Sequence, residues 1–204
     1  MKLKYIAFDT ETAGLDPKMH PILTGYFAVL GEDFSVQDEL SIQVRPETPF
    51  DVITEGAMKV NKIDLAKHIE DPNTLSRTDA AKTLKTFLKK HGKLRPLGQN
   101  IAFDVGMIGT QLLHDVSWDD YFNYNVYDTK IVANTLKEAG LLPSEIGNLE
   151  SMARHFNCAP HEFHNAKGDV LTTIEVYRKL VDMLKSLGSN TGAPKFDLLT
   201  LLER

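Results

Sequence analysis

A mostly apolar run, Leu3-Lys4-Tyr5-Ile6-Ala7-Phe8, closes on a carboxylate at Asp9, and a second carboxylate stands at Glu11. A run this short, with Tyr, Ile and Phe, reads as a buried strand. Side chains alternate along a strand, so Asp9 and Glu11 point to one face. The chain must therefore fold around a strand whose end sets two like charges side by side. Two such charges repel, and one takes up a proton unless a divalent cation lies against them. Taken alone, the pattern fits a solvated strand end with two unrelated acids equally well.

The segments beyond this strand fix the class of fold. Residues 22–30 and 35–44 read as two further strands joined across Gly31-Glu32-Asp33, an antiparallel meander with the first, and Pro46 and Pro49 stop the third. Ser76-Arg77-Thr78-Asp79 resembles a capping box, Ala80, Ala81, Leu84, Phe87 and Leu88 come next at helical spacing, and Gly92 closes the helix. A fourth strand is expected over 95–98, a helix over 103–113 and a fifth strand over 125–127. Asp128 then caps a helix that stops at Gly140, and a short helix covers 149–156. Val170, Ile174, Tyr177, Val181 and Leu184 form an amphipathic stripe. Three strands and then alternating strands and helices make a mixed sheet flanked by helices, an α/β domain over residues 1–187. Residues 188–204 read as a Gly/Ser-containing linker and a short apolar tail, Phe196-Asp197-Leu198-Leu199-Thr200-Leu201-Leu202.

Composition bounds the possibilities. With 204 residues, 42% hydrophobic and 25% charged, the chain is an ordinary globular sequence and excludes disorder and collagen-like repeats. No membrane partner is expected. Cys158 is the single cysteine, so no intrachain disulfide forms, which fits a reducing compartment. The N-terminal run meets Asp9 too soon for a signal-peptide core, and the expected location is cytoplasmic. A net charge of −5 argues against coating nucleic acid through bulk positive potential. It leaves room for an enzyme that holds metal ions against phosphates, because such a site is itself acidic.

Further acids accompany the first pair. Asp104 ends the run Gly98-Gln99-Asn100-Ile101-Ala102-Phe103-Asp104, where a strand passes into a helix. Asp169 stands at the start of the last helix, five residues after His164. Singly, acids at helix starts serve as caps and favour the helix dipole. Together with Phe8-Asp9-Thr10-Glu11-Thr12-Ala13-Gly14-Leu15-Asp16 and His164-Asn165-Ala166-Lys167-Gly168-Asp169, however, the set resembles the DEDDh 3′–5′ exonucleases of ribonuclease H-like fold. That family includes the proofreading exonuclease subunit of bacterial replicative polymerases and several RNA-trimming enzymes. The resemblance spans about residues 4 to 184. Ala13, Gln99 and Asn61 depart from the residues common in the family, at positions that bear on substrate preference.

The resemblance implies phosphodiester hydrolysis with two divalent cations, Mg²⁺ with Mn²⁺ able to substitute, held by Asp9, Glu11, Asp104 and Asp169, with His164 as general base. It implies a pocket for the 3′-terminal nucleotide formed by Thr12, Gly14, Leu15, Asn61 and Phe103, with Asn100 and Lys167 as further substrate contacts. Phe103 is equally suited to core packing, and Asn100 to capping the helix after it. Two basic groups, Lys89-Lys90-His91 with Lys93 and Arg95, and Lys59, Lys62, Lys67 and His68, read mainly as solvated faces. DNA 3′ ends, single-stranded for preference, are the first expected substrate; RNA ends or short oligoribonucleotides are the alternative. A silent binding module is a third reading, against which the intact set of five site residues argues. The tail, residues 196–202, is a candidate peptide for a polymerase or other protein partner, or a last turn packed on its own domain.

Overall fold

The computed structural model describes residues 4–47, 51–159 and 161–190. β1 (Tyr5–Thr12), β2 (Ile22–Leu30) and β3 (Val36–Gln43) form the expected antiparallel meander. α1 (Glu55–Asn61), α2 (Leu65–Glu70) and α3 (Arg77–His91) come next. β4 (Arg95–Gly98), α4 (Ala102–Gln111), β5 (Tyr127–Asp128), α5 (Thr129–Glu138), α6 (Leu149–His155) and α7 (Ala166–Asn190) complete the order. The sheet runs β3-β2-β1-β4-β5, with β1 antiparallel to β2 and parallel to β4, and β4 parallel to β5. This is the ribonuclease H-like mixed sheet, with β1 at its centre.

Alternation along β1 divides the interior in two. Ile6 and Phe8 pack with Phe27, Val29 and Ile42 against Ala80, Leu84 and Leu88 of α3 and Met107 and Ile108 of α4. On the opposite face Ala7 joins Tyr26, Ala28, Leu30 and Leu97 against Ala166, Val170, Ile174 and Tyr177 of α7. The other side of α7 closes a third cluster with α5 and α6 through Val176 and Leu180. Helix α7 is thus buried on two sides, and its Leu184 is the exception: 45% exposed, it lies off the stripe that the spacing predicted.

Local chemistry explains most boundaries. Ser76 accepts the Asp79 N–H at 3.1 Å and donates its hydroxyl to Asp79 Oδ2 at 2.7 Å, so Asp79 closes the cap through the Ser76 side chain. Asp128 caps α5 by accepting the Lys130 N–H at 2.8 Å. The fifth strand lies at 127–128 rather than 125–127, because β4 offers β5 only Leu97 and Gly98 as partners. Helices α1 and α2 arise where no helix was expected. They are six or seven residues long and their side chains are mostly exposed, so they carry no apolar stripe. Helix α7 continues through Gly188 to Asn190, into the stretch read as linker. Pro49 and the tail, residues 196–202, lie outside the described residues. No helix among the described residues is long and apolar enough to cross a membrane.

Leu84 is fully buried beneath β1 and remote in sequence from every acidic motif. Leu84→Ala is expected to cost about 2–5 kcal/mol by transfer and cavity terms. Urea denaturation measures it, and a loss below about 1 kcal/mol would contradict this packing.

Candidate active site

The sheet's division sets the carboxylates in place. Asp9 and Glu11 continue the face of β1 that meets α7, and Asp169 stands in the first turn of that helix. One oxygen from each of these three residues lies within 4.8 Å of the other two. Asp104 comes from α4, across the other face, and is buried. It is gripped by Thr10, whose backbone N–H and hydroxyl donate to Asp104 Oδ1 at 2.9 and 2.7 Å. Thr10 was not singled out from sequence, although its position between Asp9 and Glu11 puts it on the α4 face by simple alternation. The β1–β2 register shifts between Glu11 and Thr12, an irregularity of the kind that re-aims side chains beside active sites.

The electrostatics arise from crowding. Burial pushes Glu11 up to about 7 from an ordinary 4.5, with Asp169 and Asp104 adding to it. Burial likewise raises Asp104 to about 7 against the pull of the two Thr10 hydrogen bonds, and nearby Asp128 adds to the rise. Asp169 is raised to about 6 by burial, partly offset by His164. Asp9, central to the group, is raised well above the carboxylate range by burial first and then by Asp104, Glu11 and Asp169. Among the described residues none of the four forms an ion pair with a Lys, Arg or His side chain. A set of oxygen donors with raised pKa values and no ion-pair partner among the described residues suits hard divalent cations.

His164 lies on the loop before α7, with its backbone at φ 60° and its N–H donating to Asp169 Oδ2 at 3.2 Å. Gly168 is required here: a Cβ at this position would come within 1.9 Å of the Glu162 carbonyl oxygen, so only glycine lets the His164 loop lie against α7. Asp9, Asp169 and His164 line one cavity of about 250 Å³ together with Gln99 and Glu150.

A larger cavity, about 520 Å³, is lined by Glu11 together with Thr12, Gly14, Leu15, Asn61 and Phe103. Leu15 is 81% exposed at its rim. Phe103 lines this cavity and also packs on the core. Asn61 is buried, donating to the Thr12 carbonyl at 3.1 Å and accepting from the Ile63 N–H at 3.0 Å. Asn100 has φ 60° and takes the Lys130 Nζ on its side-chain oxygen at 3.1 Å; the cap position of α4 is Ile101, so Asn100 does not cap that helix. Lys167 donates to Glu39 Oε1 at 3.0 Å and lies over the Tyr26 ring.

Of the basic groups, Lys90 and His91 pair with Asp38, Lys93 with Asp119, Lys59 with Glu55 and Lys67 with Asp64, and His68 is buried against the Val44 carbonyl. Asp128 was expected only as a cap. It also accepts the Asn100 and Ile101 N–H groups at 3.0 and 3.1 Å, which anchors the turn leading to Asp104.

The RNase_T family, described as exonuclease, matches residues 6–177. The fold is also that of E. coli Exonuclease I solved with a dT13 oligonucleotide, at a TM-score of 0.74 and 16% identity over 92% of this chain and 43% of that one. A zinc-bound E. coli Exonuclease I–ssDNA complex gives 0.71 and 17% over 91% and 43%. A moderately thermophilic Exonuclease I from Methylocaldum szegediense gives 0.67 and 18% over 88% and 40%. The chain therefore spans less than half the length of these structures. No curated protein matches it.

The raised carboxylates dictate a pH dependence. Between about 4 and 7 the folded protein binds more protons than the unfolded chain, so without divalent cations its stability falls as pH rises through that window. A cation bound to the ionised set reverses the effect. The Tm gain on adding Mg²⁺ or Mn²⁺ is expected to be larger at about pH 8 than at about pH 5. Equal gains at both pH values in a thermal melt would contradict the assignment.

Proposed function

The chain belongs to the RNase_T exonuclease family, and on that premise we propose that it removes nucleotides one at a time from the 3′ end of single-stranded DNA, releasing nucleoside 5′-monophosphates. The observation that carries the reading is the convergence of Asp9, Glu11 and Asp169 within 4.8 Å, beside His164 and next to an apolar cavity large enough for a nucleoside. DNA is preferred over RNA because Exonuclease I, whose fold this chain shares, was solved with DNA oligonucleotides.

Asp9, Glu11 and Asp169 would hold one divalent cation, and Asp104 with Asp9 a second. Two Mg²⁺ ions held there would supply charge neutralisation for the attacking and leaving oxygens. The protein's own groups do the rest. An imidazole nitrogen of His164 takes a proton from the attacking water, a task suited to histidine near neutral pH. The water oxygen bonds to phosphorus, the bond to the 3′ oxygen of the penultimate nucleotide breaks, and that oxygen is protonated from solvent. Thr10 holds Asp104 in register while this happens. Leu15 and Phe103 clasp the terminal nucleoside between apolar surfaces, a sequence-tolerant contact because every base offers a face. Thr12, Gly14 and Asn61 line that pocket; Asn100 and Lys167 lie outside its lining and would meet substrate beyond the terminal nucleoside.

Matched 5′-labelled DNA and RNA single strands, incubated with Mg²⁺, Mn²⁺ or EDTA, test the reading. A ladder shortening from the 3′ end, lost in EDTA and faster on DNA, is expected. Faster shortening of RNA would transfer the assignment to RNA ends, and intact strands under every metal would overturn it. Asp9→Ala is expected to abolish cleavage with the fold retained, and His164→Ala to slow it about 10²–10⁴-fold. An unchanged His164→Ala rate at neutral pH would remove the imidazole from this role.

A further inference from the structure

His20 belongs to none of the acidic motifs, yet its ring forms part of the wall of the 520 Å³ cavity that also includes Glu11. The ring is held from several directions. It lies directly against Gly14, where an added Cβ would come within 2.5 Å of its Cγ and Cδ2 atoms. Its Nδ1 accepts the Asp16 N–H at 2.8 Å. The backbone on either side is tied down as well: the His20 N–H donates to the Asp16 carbonyl at 2.8 Å, and the Gln111 amide donates to the His20 carbonyl at 2.8 Å. Because Nδ1 is occupied as an acceptor, the proton of the neutral ring resides on Nε2. Nε2 has no hydrogen-bond partner among the described residues.

Glu11 apart, the other polar side chains of this wall each make a hydrogen bond within the protein. The Thr10 hydroxyl donates to Asp104, the Thr12 hydroxyl to the Gly14 carbonyl and the Thr54 hydroxyl to the Ala13 carbonyl. The Asn61 amide is held between the Thr12 carbonyl and the Ile63 N–H. His20 thus lines a largely apolar cavity and carries an N–H donor that no described residue takes up. A pocket that must receive every nucleotide in turn can read only acceptors common to all of them. The minor-groove edge supplies such a set, O2 of pyrimidines and N3 of purines.

We infer that His20 is a substrate-contacting residue whose Nε2–H donates to the O2 or N3 acceptor of the 3′-terminal base. It orients that base without selecting among the four. The inference rests on the exonuclease reading and deepens it. His20→Asn isolates the contact, because the shorter amide keeps an acceptor near the Nδ1 position for the Asp16 N–H and removes the nitrogen at Nε2.

The test compares wild type and His20→Asn on single-stranded DNA ending either in thymidine or in 2,4-difluorotoluene deoxyriboside, a thymidine isostere without carbonyl acceptors. His20→Asn is expected to raise KM about 3- to 10-fold on the thymidine end, the worth of one neutral hydrogen bond, and to leave KM on the isostere within about twofold. Thermal melts of both proteins verify that the loop is intact. An equal rise on both ends would reduce His20 to a brace for the loop, and no rise on either would remove the contact altogether. If wild type degrades neither substrate, the exonuclease reading itself falls and this inference with it. That result is distinct from a wild type that degrades both while the variant fails to discriminate.

Discussion

Repulsion among four carboxylates at the end of one strand is the constraint around which the protein is built. For Asp9, Glu11 and Asp169, whose oxygens lie within 4.8 Å of one another, each ionised pair costs roughly 3 kcal/mol at an effective dielectric near 20, as much as burying a large apolar side chain returns. No lysine or arginine among the described residues pairs with them, so the scaffold itself must hold the group together. It does so from both faces of β1. Phe8 and Ile6 lock α4 beneath the strand, and Ala7 packs against Ala166 and Val170 of α7 above it. Thr10 then grips Asp104, and the His164 N–H steadies Asp169. Burial displaces their pKa values upward to about 6 and 7, so ionising the group is costly until a cation offsets the charge.

Much of this was legible in the sequence because the relevant signals are local. β2 begins and ends where its apolar run does, since nearly all of its residues are buried. Ser76 and Gly92 bound α3 as cap chemistry requires. Asp9 and Glu11 share a face by alternation alone, and Asp169 falls in the first turn of a helix with a clear apolar stripe. The remainder depends on contacts between distant residues. Lys167 reads as a substrate contact, and its ion pair with Glu39, 128 positions away, leaves no local trace in the sequence. Asp128 looks like a simple helix cap, yet it also fixes the turn at Asn100 and Ile101. Helices α1 and α2 are too short and too exposed to leave a pattern, although α1 supplies Val60 and Asn61 to the nucleoside-sized cavity.

That cavity and the acidic group divide the labour of the site. The carboxylates present oxygen donors and little else. The cavity beside them is apolar, with most of its hydroxyls turned to the protein. Contact with a base therefore falls to shape, to aromatic and aliphatic surface, and to whichever few polar atoms remain unspent. Such a division suits a catalyst whose chemistry is the same at each step while the base presented to it changes.

The arrival of Asp104 and Asp169 from helices on opposite faces of the sheet carries one more consequence. Neither face alone completes the acidic group, and the last contributor stands 160 positions after the first in the chain. A nascent or partly unfolded chain can hold Asp9 and Glu11 but cannot bring all four acids together. The architecture thus works as an interlock: the acidic group comes into being only with the finished fold, and it is dismantled as soon as either layer comes loose.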